Sequence, residues 1–591
     1  MTTSPIPAPA AAEALFAPGE IGRLRLKNRL VMAPMTTRLA DSEGRVTEEL
    51  LAYYHARATG GIGLVIAEMA APEPAGRHRF HELGIYDDRF LPGLRKLVDT
   101  LHGAGAAAAI QLGHGGGHTR HSVCETTPVA PSAIPHPVVE GGFELVIPEA
   151  MTLERIAKCV EAFAAAFERA ARAGFDLVEI HGAHGYLISQ FLSPEENRRS
   201  DAYGGTLENR ARFALEIVRA CKARAPNMPL VFRMNGDDFF PTGLSDSEAP
   251  QVAIWAANEG ADALHITGGH YRSQPSAAIM IPPMEHGSAP FAHFAAGVKK
   301  RVSVPVIAVG RLGAPDVAAG IIERNEADFV ALARPLLADP EWADRAREGR
   351  PIRSCLGCNS CVDDMRDGSR LHCIVNPLAG RETAALRQSG PQGERIAVIG
   401  AGPAGLTYAG HAAAHNNLTI FEREPRGGGA LHLAGQVARF QNIRPTSESF
   451  DQFISSLEAI CDVGGVERRY SVDPLSDPGM LANYDRIVIA TGARPPLAGL
   501  VRAAISAGFL RSGPLAALAA RERVRQWFYT RARKATGTEV AARLPAGVRV
   551  EIIGDASRPD KCAAAISSAF AAATGMPADI VFPSSIGGVD S

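Results

Sequence analysis

Cysteine is scarce: nine in 591 residues, too few for a disulfide scaffold. Charge of one sign is scarce as well. Lys+Arg numbers 61 against 63 Asp+Glu, and a net charge of −2 gives no electrostatic case for nucleic acid or an anionic membrane as a partner. Long apolar runs are missing, since none reaches the ~18 residues of a membrane span. The opening MTTSPIPAPAAAEALFAPGE has neither the basic start nor the apolar stretch of a secretory signal. No internal repeat stands out. What remains is ample core material, 46% hydrophobic residues. The expectation is a soluble cytoplasmic protein, at roughly 150 residues per domain two to four domains, with homo-oligomerisation left open. The first twelve residues and the last few are expected to be loose.

From residue 30 to 337 short apolar runs recur, mostly separated by helix-type patterns. They are LVMAPM (30–35), GLVIAEM (63–69), AAAAIQLGH (106–114), DLVEIHGAHGYL (176–187), PLVFRMNG (229–236), ADALHITGG (261–269), VPVIAVGRL (304–312) and DFVALARPLL (328–337). Near-continuous apolar strands alternating with helices imply a buried parallel sheet. Eight of them over this length predict a (β/α)8 TIM barrel, with a doubly wound open sheet as the alternative. In such barrels the chemistry lies at the C-terminal strand ends. Here those ends carry polar or glycine-rich pieces, among them QLGH, HGAHGY, RMNG, TGGH and GRL.

Four of the nine cysteines fall in CLGCNSCVDDMRDGSRLHC, at Cys355, Cys358, Cys361 and Cys373. Four thiolates suit tetrahedral zinc or an Fe–S cluster. A zinc ribbon usually pairs two C-x2-C elements. Three ligands crowded into seven residues favour a cubane held by one tight loop, a [4Fe–4S] cluster. Zinc and ordinary thiols are the alternatives. A cluster carries single electrons, so a flavin is expected beside it to interconvert one- and two-electron chemistry.

A second α/β unit begins at ERIAVIGAGPAG, 394–405. GAGPAG follows an expected strand and opens a helix, and Glu422 ends the next strand, the context a dinucleotide fingerprint requires. Gly400 permits the tight turn, Gly402 lets pyrophosphate approach the helix N-terminus, and Gly405 lets helix and strand pack closely; Ala404, between them, is a further cofactor-binding candidate. Glu422 can accept ribose hydroxyls. ATGARP (490–495) and the Gly554–Asp555 pair read as further strand-ending turns. The expected division is a barrel over 1–345, an iron–sulfur segment over 346–390, and a Rossmann-like domain over 391–591 with a shortened insert at 496–547.

NRLVMAPMTT, HGAHGYLISQFLSPEENRRSDAYGGTLENRARF, VPVIAVGR, ARPLLADP, CLGCNSC and GAGPAG together resemble the multidomain branch of the old yellow enzyme family. That branch includes 2,4-dienoyl-CoA reductase, trimethylamine dehydrogenase and histamine dehydrogenase. The resemblance covers most of 13–495, and 550–573 looks like the family's closing flavin-binding segment. It implies FMN in the barrel, the cluster between domains, and FAD or ADP in the C-terminal unit. Pro34, Met35 and Thr36 match residues lining the isoalloxazine. Ala67 and Gln111 match contacts to its polar edge, and Arg233 matches a cation that favours its reduction. Gly310, Arg311, Ala333 and Arg334 match the phosphate site.

The same resemblance assigns His181 and His184 to the carbonyl oxygen of an activated alkene and Tyr186 to its protonation. His270 is a further candidate, for assisting Tyr186, and Arg272 competes for that alignment. The rest of the motif, with Asp201 and Glu208, reads as bracing. The implied enzyme is an NADH:flavin oxidoreductase-type ene-reductase acting on a small unsaturated carbonyl compound. The other enzyme reading is an amine dehydrogenase or N-demethylase that passes electrons out through the cluster. The amine enzymes look to have tyrosine at the His181 position and aspartate at the His270 position. None of Trp255, Trp342 and Trp527 falls at an expected strand end to build an aromatic cage. A non-catalytic electron carrier is the third class, and HGAHGY has no place in a relay. The sequence departs from the dienoyl-CoA reductases in one respect. The span 496–547 lacks a second glycine fingerprint and is too short for a full nucleotide domain, which needs on the order of 100 residues. NAD(P)H as donor in the barrel and a separate redox partner protein both remain open.

Overall fold

The computed structural model describes residues 12–387, 390–440, 443–495 and 498–577. The termini expected to be loose lie outside the described residues, except Ala12, which is buried and leads into the helix Glu13–Phe16. The chain forms two compact units. The first runs to Arg350 and takes in Cys361–Leu371; the second comprises Pro351–Ser360 and the chain from His372 onward.

In the first unit eight parallel strands close on themselves. They are β1 (Leu30–Met32), β2 (Leu64–Ala71), β3 (Ala107–Leu112), β4 (Leu177–Gly182), β5 (Leu230–Asn235), β6 (Ala263–Thr267), β7 (Val306–Val309) and β8 (Phe329–Leu332). Each of the eight apolar runs contributes one. Closure comes from β1, which pairs with β8 through Ala331↔Val31 and with β2 through Met32↔Val65. That excludes the open sheet. A two-residue strand, Leu83–Gly84, extends the sheet along β2.

The barrel interior is packed with residues from all eight strands: Val31, Leu64, Ile66, Ala109, Leu177, Val231, Ala263, Ile307, Phe329 and Ala331. An N-terminal hairpin, Gly19–Ile21 with Leu24–Leu26, adds Ile21 and Leu26 to this core. Three of the helices that follow the strands are capped by threonine. Thr47, Thr152 and Thr206 each accept a backbone N–H at the start of α1 (Glu48–Thr59), α2 (Leu153–Ala173) and α3 (Leu207–Arg224), a contribution of typically ~1 kcal/mol each. Gly174 ends α2 with φ 96°, a conformation that costs glycine nothing.

The second unit holds a five-stranded parallel sheet of β9 (Arg395–Ile399), β10 (Asn417–Glu422), β11 (Glu467–Tyr470), β12 (Arg486–Ile489) and β13 (Arg549–Ile552). Their spatial order is β11-β10-β9-β12-β13, that is 3-2-1-4-5 along the chain, the order of a dinucleotide-binding fold with its reversal beside β9. Between β12 and β13 the described residues form short helices and one antiparallel pair, Ala493–Arg494 with Lys534–Ala535. They form no second parallel sheet.

One carboxyl in the barrel wall is held in its neutral form. Burial lifts Glu68 of β2 to a pKa of about 8, against the opposing hydrogen bond from Thr37 N–H. The native state therefore binds a proton that the unfolded chain releases above its ordinary value of about 4.3. Stability from this group is full below that value and is lost as pH rises toward 8. Thermal unfolding of Glu68→Gln followed from pH 5 to 8 should show a flatter decline than wild type, by on the order of 1 kcal/mol per pH unit at most.

Candidate active site

The C-terminal end of β4 delivers three side chains to one place. His181 lies in the strand, and the chain then turns through His184 (φ 66°) and Gly185 (φ 82°). A Cβ on Gly185 would stand 2.6 Å from the His270 ring, so only glycine fits the turn. It presents Tyr186 at the start of the helix Leu187–Leu192. The His181 ring is 5.1 Å from His184 and 5.1 Å from Tyr186. His184 Nε2 sits 3.1 Å from Thr267 Oγ1 at the end of β6. His181 Nδ1 has no hydrogen-bond partner among the described residues.

The electrostatics of the trio are set by burial. It pushes both imidazoles well below the usual histidine range, helped by the Arg233 cation. It lifts the Tyr186 phenol well above the usual tyrosine value, with Tyr271 adding to the rise and Arg79 opposing it. Two neutral imidazoles and one protonated phenol result, a set of neutral donors suited to an oxygen on which negative charge develops.

A second ring of groups surrounds Tyr186. His78 lies edge-on at 4.8 Å, and His118 at 6.0 Å. Tyr271 is edge-on at 5.7 Å and stacks on His118 at 4.0 Å and 9°. Arg79 and Arg38 both reach Glu140, at 2.8 and 2.5 Å. The Arg366 guanidinium stands 5.3 Å from the centre of the Tyr271 ring. Arg366 ends the helix Ser360–Arg366, which carries Cys361.

Below this layer one buried carboxylate joins four strands. Glu179 of β4 accepts from Gln111 of β3 at 2.7 Å, faces His265 Nδ1 of β6 at 2.6 Å, and lies 3.8 Å from Arg233 of β5. Burial opposes its ionisation, but His265 and Arg233 outweigh that and hold its pKa low. Gln111 and Arg233 were expected to meet the flavin; the structure ties both to Glu179.

His270 is brought next to the site without joining the trio. Its backbone forms a bridge with His184, but its ring faces Glu196 at 3.0 Å, and Glu196 also pairs with His136 at 3.2 Å. Burial would lower the His270 pKa; Glu196 and Asp238 raise it instead. Arg272 reaches Pro135 and Glu195 rather than Tyr186. Asp201 braces its loop through Arg199 and the Tyr203 N–H, while Glu208 is exposed in the first turn of α3. Phe240 packs edge-on against His270, and Trp342 is buried on Gly313 O.

The remaining flavin candidates gather at strand ends of the same unit. Pro34, Met35 and Thr36 follow β1, and Ala67 lies in β2 at a register shift. Gly310 (φ 112°) and Arg311 (φ 49°) follow β7, and Ala333 and Arg334 follow β8. Arg233 Nε, like His181 Nδ1, lacks a hydrogen-bond partner among the described residues. A cation and a neutral donor left open fit the electron-rich edge of FMN and the substrate beside it. Elsewhere Glu73, His114 and Cys159 converge as a metal set would. Arg155 already occupies that place, 2.6 Å from Glu73, so a metal would have to displace a guanidinium.

In the second unit the fingerprint glycines take separate tasks. A Cβ on Gly400 (φ 110°) would strike Ala490 O at 2.5 Å, and one on Gly405 would strike Gly400 O at 1.9 Å. A Cβ on Gly402 would meet nothing within 4 Å, and Ala404 follows it in the first turn of the helix Pro403–Ala412. The helix end is therefore open toward a phosphate. Glu422 accepts from Ala401 N at 2.8 Å and Glu424 N at 2.9 Å, keeping a lone pair on each oxygen for a ribose. Asp555 is held by Arg533 from the insert and by Asp560 N. Cys355 and Cys358 accept weak hydrogen bonds from Gly357 N and Ser360 Oγ. Burial, with Cys355 and Cys358 nearby, pushes the Cys373 thiol up to about 12.

The model for the NADH:flavin oxidoreductase / NADH oxidase family matches residues 14–353. The chain belongs to that family, in the multidomain branch of the old yellow enzymes. A pyridine nucleotide-disulphide oxidoreductase model matches 394–514. The protein is thus a flavin oxidoreductase with an FAD-type second domain. An NADH oxidase of Thermoanaerobacter brockii is 38% identical over 491 residues, 81% of this chain and 73% of that one. An N,N-dimethylglycine/sarcosine dehydrogenase of Chromohalobacter salexigens is 31% identical over 500 residues, 82% of this chain and 70% of that one. The structure of a 2-naphthoyl-CoA reductase complex superimposes with a TM-score of 0.84 at 23% identity, over 95% of this chain and 99% of that one. That last likeness is one of fold.

Sequence reasoning passed over Glu179, His265, Arg79, His118, Arg366 and Tyr271. Two signals were available: Glu179 and His265 are the polar residues inside the otherwise apolar runs LVEI and ALHI. Glu179→Ala leaves Arg233 without its counter-ion and should lower holoenzyme stability by about 3–5 kcal/mol, read as a shifted denaturation midpoint. Because the Glu179 pKa is depressed, the wild-type contribution is present above the ordinary carboxylate range and is lost as pH falls through the folded value.

Proposed function

We propose that the enzyme reduces the C=C bond of an α,β-unsaturated carbonyl compound: an enoate, an enone or a dienoyl thioester. FMN, when held by Pro34, Met35, Thr36, Ala67, Gln111 and Arg233 and at its phosphate by Gly310, Arg311, Ala333 and Arg334, supplies hydride to the β-carbon. His181 and His184 donate hydrogen bonds to the carbonyl oxygen as charge builds there. Removing one such donor typically costs about 3 kcal/mol. Tyr186 gives its proton to the α-carbon. The observation that carries this reading is the convergence of His181, His184 and Tyr186 at one strand end, with His181 Nδ1 unpartnered among the described residues. The high Tyr186 pKa keeps the proton in place until the substrate needs it. His270 acts from behind as a positioning residue, held by Glu196.

The same reading gives the barrel 1–345 the reaction and the segment 346–390 a [4Fe–4S] cluster on Cys355, Cys358, Cys361 and Cys373. The domain 391–591 receives FAD or ADP at Gly400, Gly402, Ala404, Gly405, Glu422 and Asp555. Electrons enter from NAD(P)H or from a separate redox protein. An amine substrate is the second reading, favoured by the sarcosine-type relative. The guanidinium groups of Arg79, Arg233 and Arg366 around the site disfavour an ammonium ion there.

Anaerobically purified enzyme should contain flavin, iron and acid-labile sulfide, and its dithionite-reduced form should be reoxidised by 2-cyclohexenone. Reduction of the oxidised flavin by sarcosine, with no reaction toward the enone, would reverse the assignment. Tyr186→Phe should slow alkene reduction by about 10²-fold or more and leave flavin reduction by NAD(P)H within about twofold of wild type.

A further inference from the structure

The proton donor is buried, and its own proton must be replaced after each turnover. Tyr186 is 7% exposed and its anion is strongly disfavoured by burial. Tyr271 is the more exposed of the pair, and its ring meets that of Tyr186 edge-on, with centroids 5.7 Å apart. Tyr271 also has what Tyr186 lacks, a surrounding able to carry an oxyanion. Arg366 approaches it from the helix Ser360–Arg366, Arg79 from the segment after β2, and His118 stacks flat on it from the loop after β3. Arg79 and Arg38 share the single carboxylate of Glu140. Glu82 is engaged with His78 and with the backbone N–H groups of His78 and Arg79. The nearby carboxylates thus leave guanidinium charge uncompensated.

Resting on the ene-reductase reading, we propose that Tyr271 is a proton-relay residue that restores Tyr186. The Tyr186 O–H bond breaks as its proton forms the C–H bond at the α-carbon. The Tyr271 O–H bond then breaks, its proton passes to the Tyr186 oxygen, and the electron pair stays on the Tyr271 oxygen between Arg79 and Arg366. A solvent proton restores Tyr271. Direction follows from the two environments. Burial opposes ionisation of both phenols, but at Tyr271 the guanidinium groups of Arg366, 5.3 Å from its ring centre, and Arg79 outweigh it and bring its pKa below the usual value. His118 contributes no charge, because burial and Arg79 hold it well below the usual histidine range. Two consequences separate this role from mere packing: turnover falls at high pH when Tyr271 is already ionised, and that limb belongs to Tyr271 rather than to Tyr186.

The test uses holoenzyme and its Tyr271→Phe variant, which keeps the ring stacked on His118. In an ultraviolet difference titration, wild type should show one phenol ionising below the ordinary value of about 10, absent from the variant. Steady-state reduction of 2-cyclohexenone should fall about tenfold in the variant, with flavin reduction by NADH unchanged and the high-pH limb removed. Arg366→Gln, which keeps Tyr271 and removes one cation, should move the limb to higher pH. Wild-type turnover with the limb intact in Tyr271→Phe would overturn the relay, as would a titration with no early-ionising phenol missing. If wild type leaves 2-cyclohexenone unreduced, the ene-reductase reading falls. The titration then decides alone: an early phenol lost with Tyr271 keeps it as the proton-holding group, and its absence removes it.

Discussion

The barrel top depends on a single carboxylate in a place where charge is expensive. Glu179 sits in the middle of β4 with no exposure, and its partners Gln111, Arg233 and His265 come from β3, β5 and β6. A buried ion of this kind is tolerable only when its attractions are kept. The four strands are consequently fixed in mutual register by polar contacts as well as by the backbone ladder. Everything that follows along the chain from these strands inherits that register, including His181 two residues beyond Glu179.

A consequence is division of labour by depth. The lower interior is aliphatic and alternates inward residues from each strand. The level above it holds the Glu179–Arg233 ion pair and His265, whose imidazolium burial disfavours. The uppermost carries the neutral donors, where burial has removed charge from His181 and His184. On the ene-reductase reading such a gradient would give rigid packing beneath, a cation beside the flavin, and uncharged hydrogen-bond donors toward the substrate.

Much of the architecture was legible because burial writes itself into composition. Eight apolar runs became eight strands, and GAGPAG became a tight turn whose glycines are explained one by one by Ala490 O, Gly400 O and open space. The trio His181, His184 and Tyr186 was legible through HGAHGY. What was not legible is what distant segments bring. Arg79, His118 and Arg366 lie in unrelated stretches with no periodicity to connect them. Tyr271 adjoins a histidine that drew attention first, yet His270 turns toward Glu196 and Tyr271 toward Tyr186. Sequence spacing ranks neighbours along the chain, whereas ring orientation depends on the backbone bridge between residues 184 and 270.

The return of residues 361–371 to the first unit bears on how the protein is made. Leu371 N–H bonds Thr37 O, Arg38 Nε bonds Met365 O, and Gly141 N–H bonds Arg366 O. A ribosome that has released only the eighth strand and its helix has not yet supplied these partners. The nascent barrel must wait, with the buried guanidinium of Arg38 short of an acceptor, until the stretch containing Cys361 emerges. A chain ended near residue 350 would lack the acceptor of Arg38 Nε and the partners of Thr37 O and Gly141 N–H, so completion of these contacts and delivery of the Cys361 thiol come from one segment.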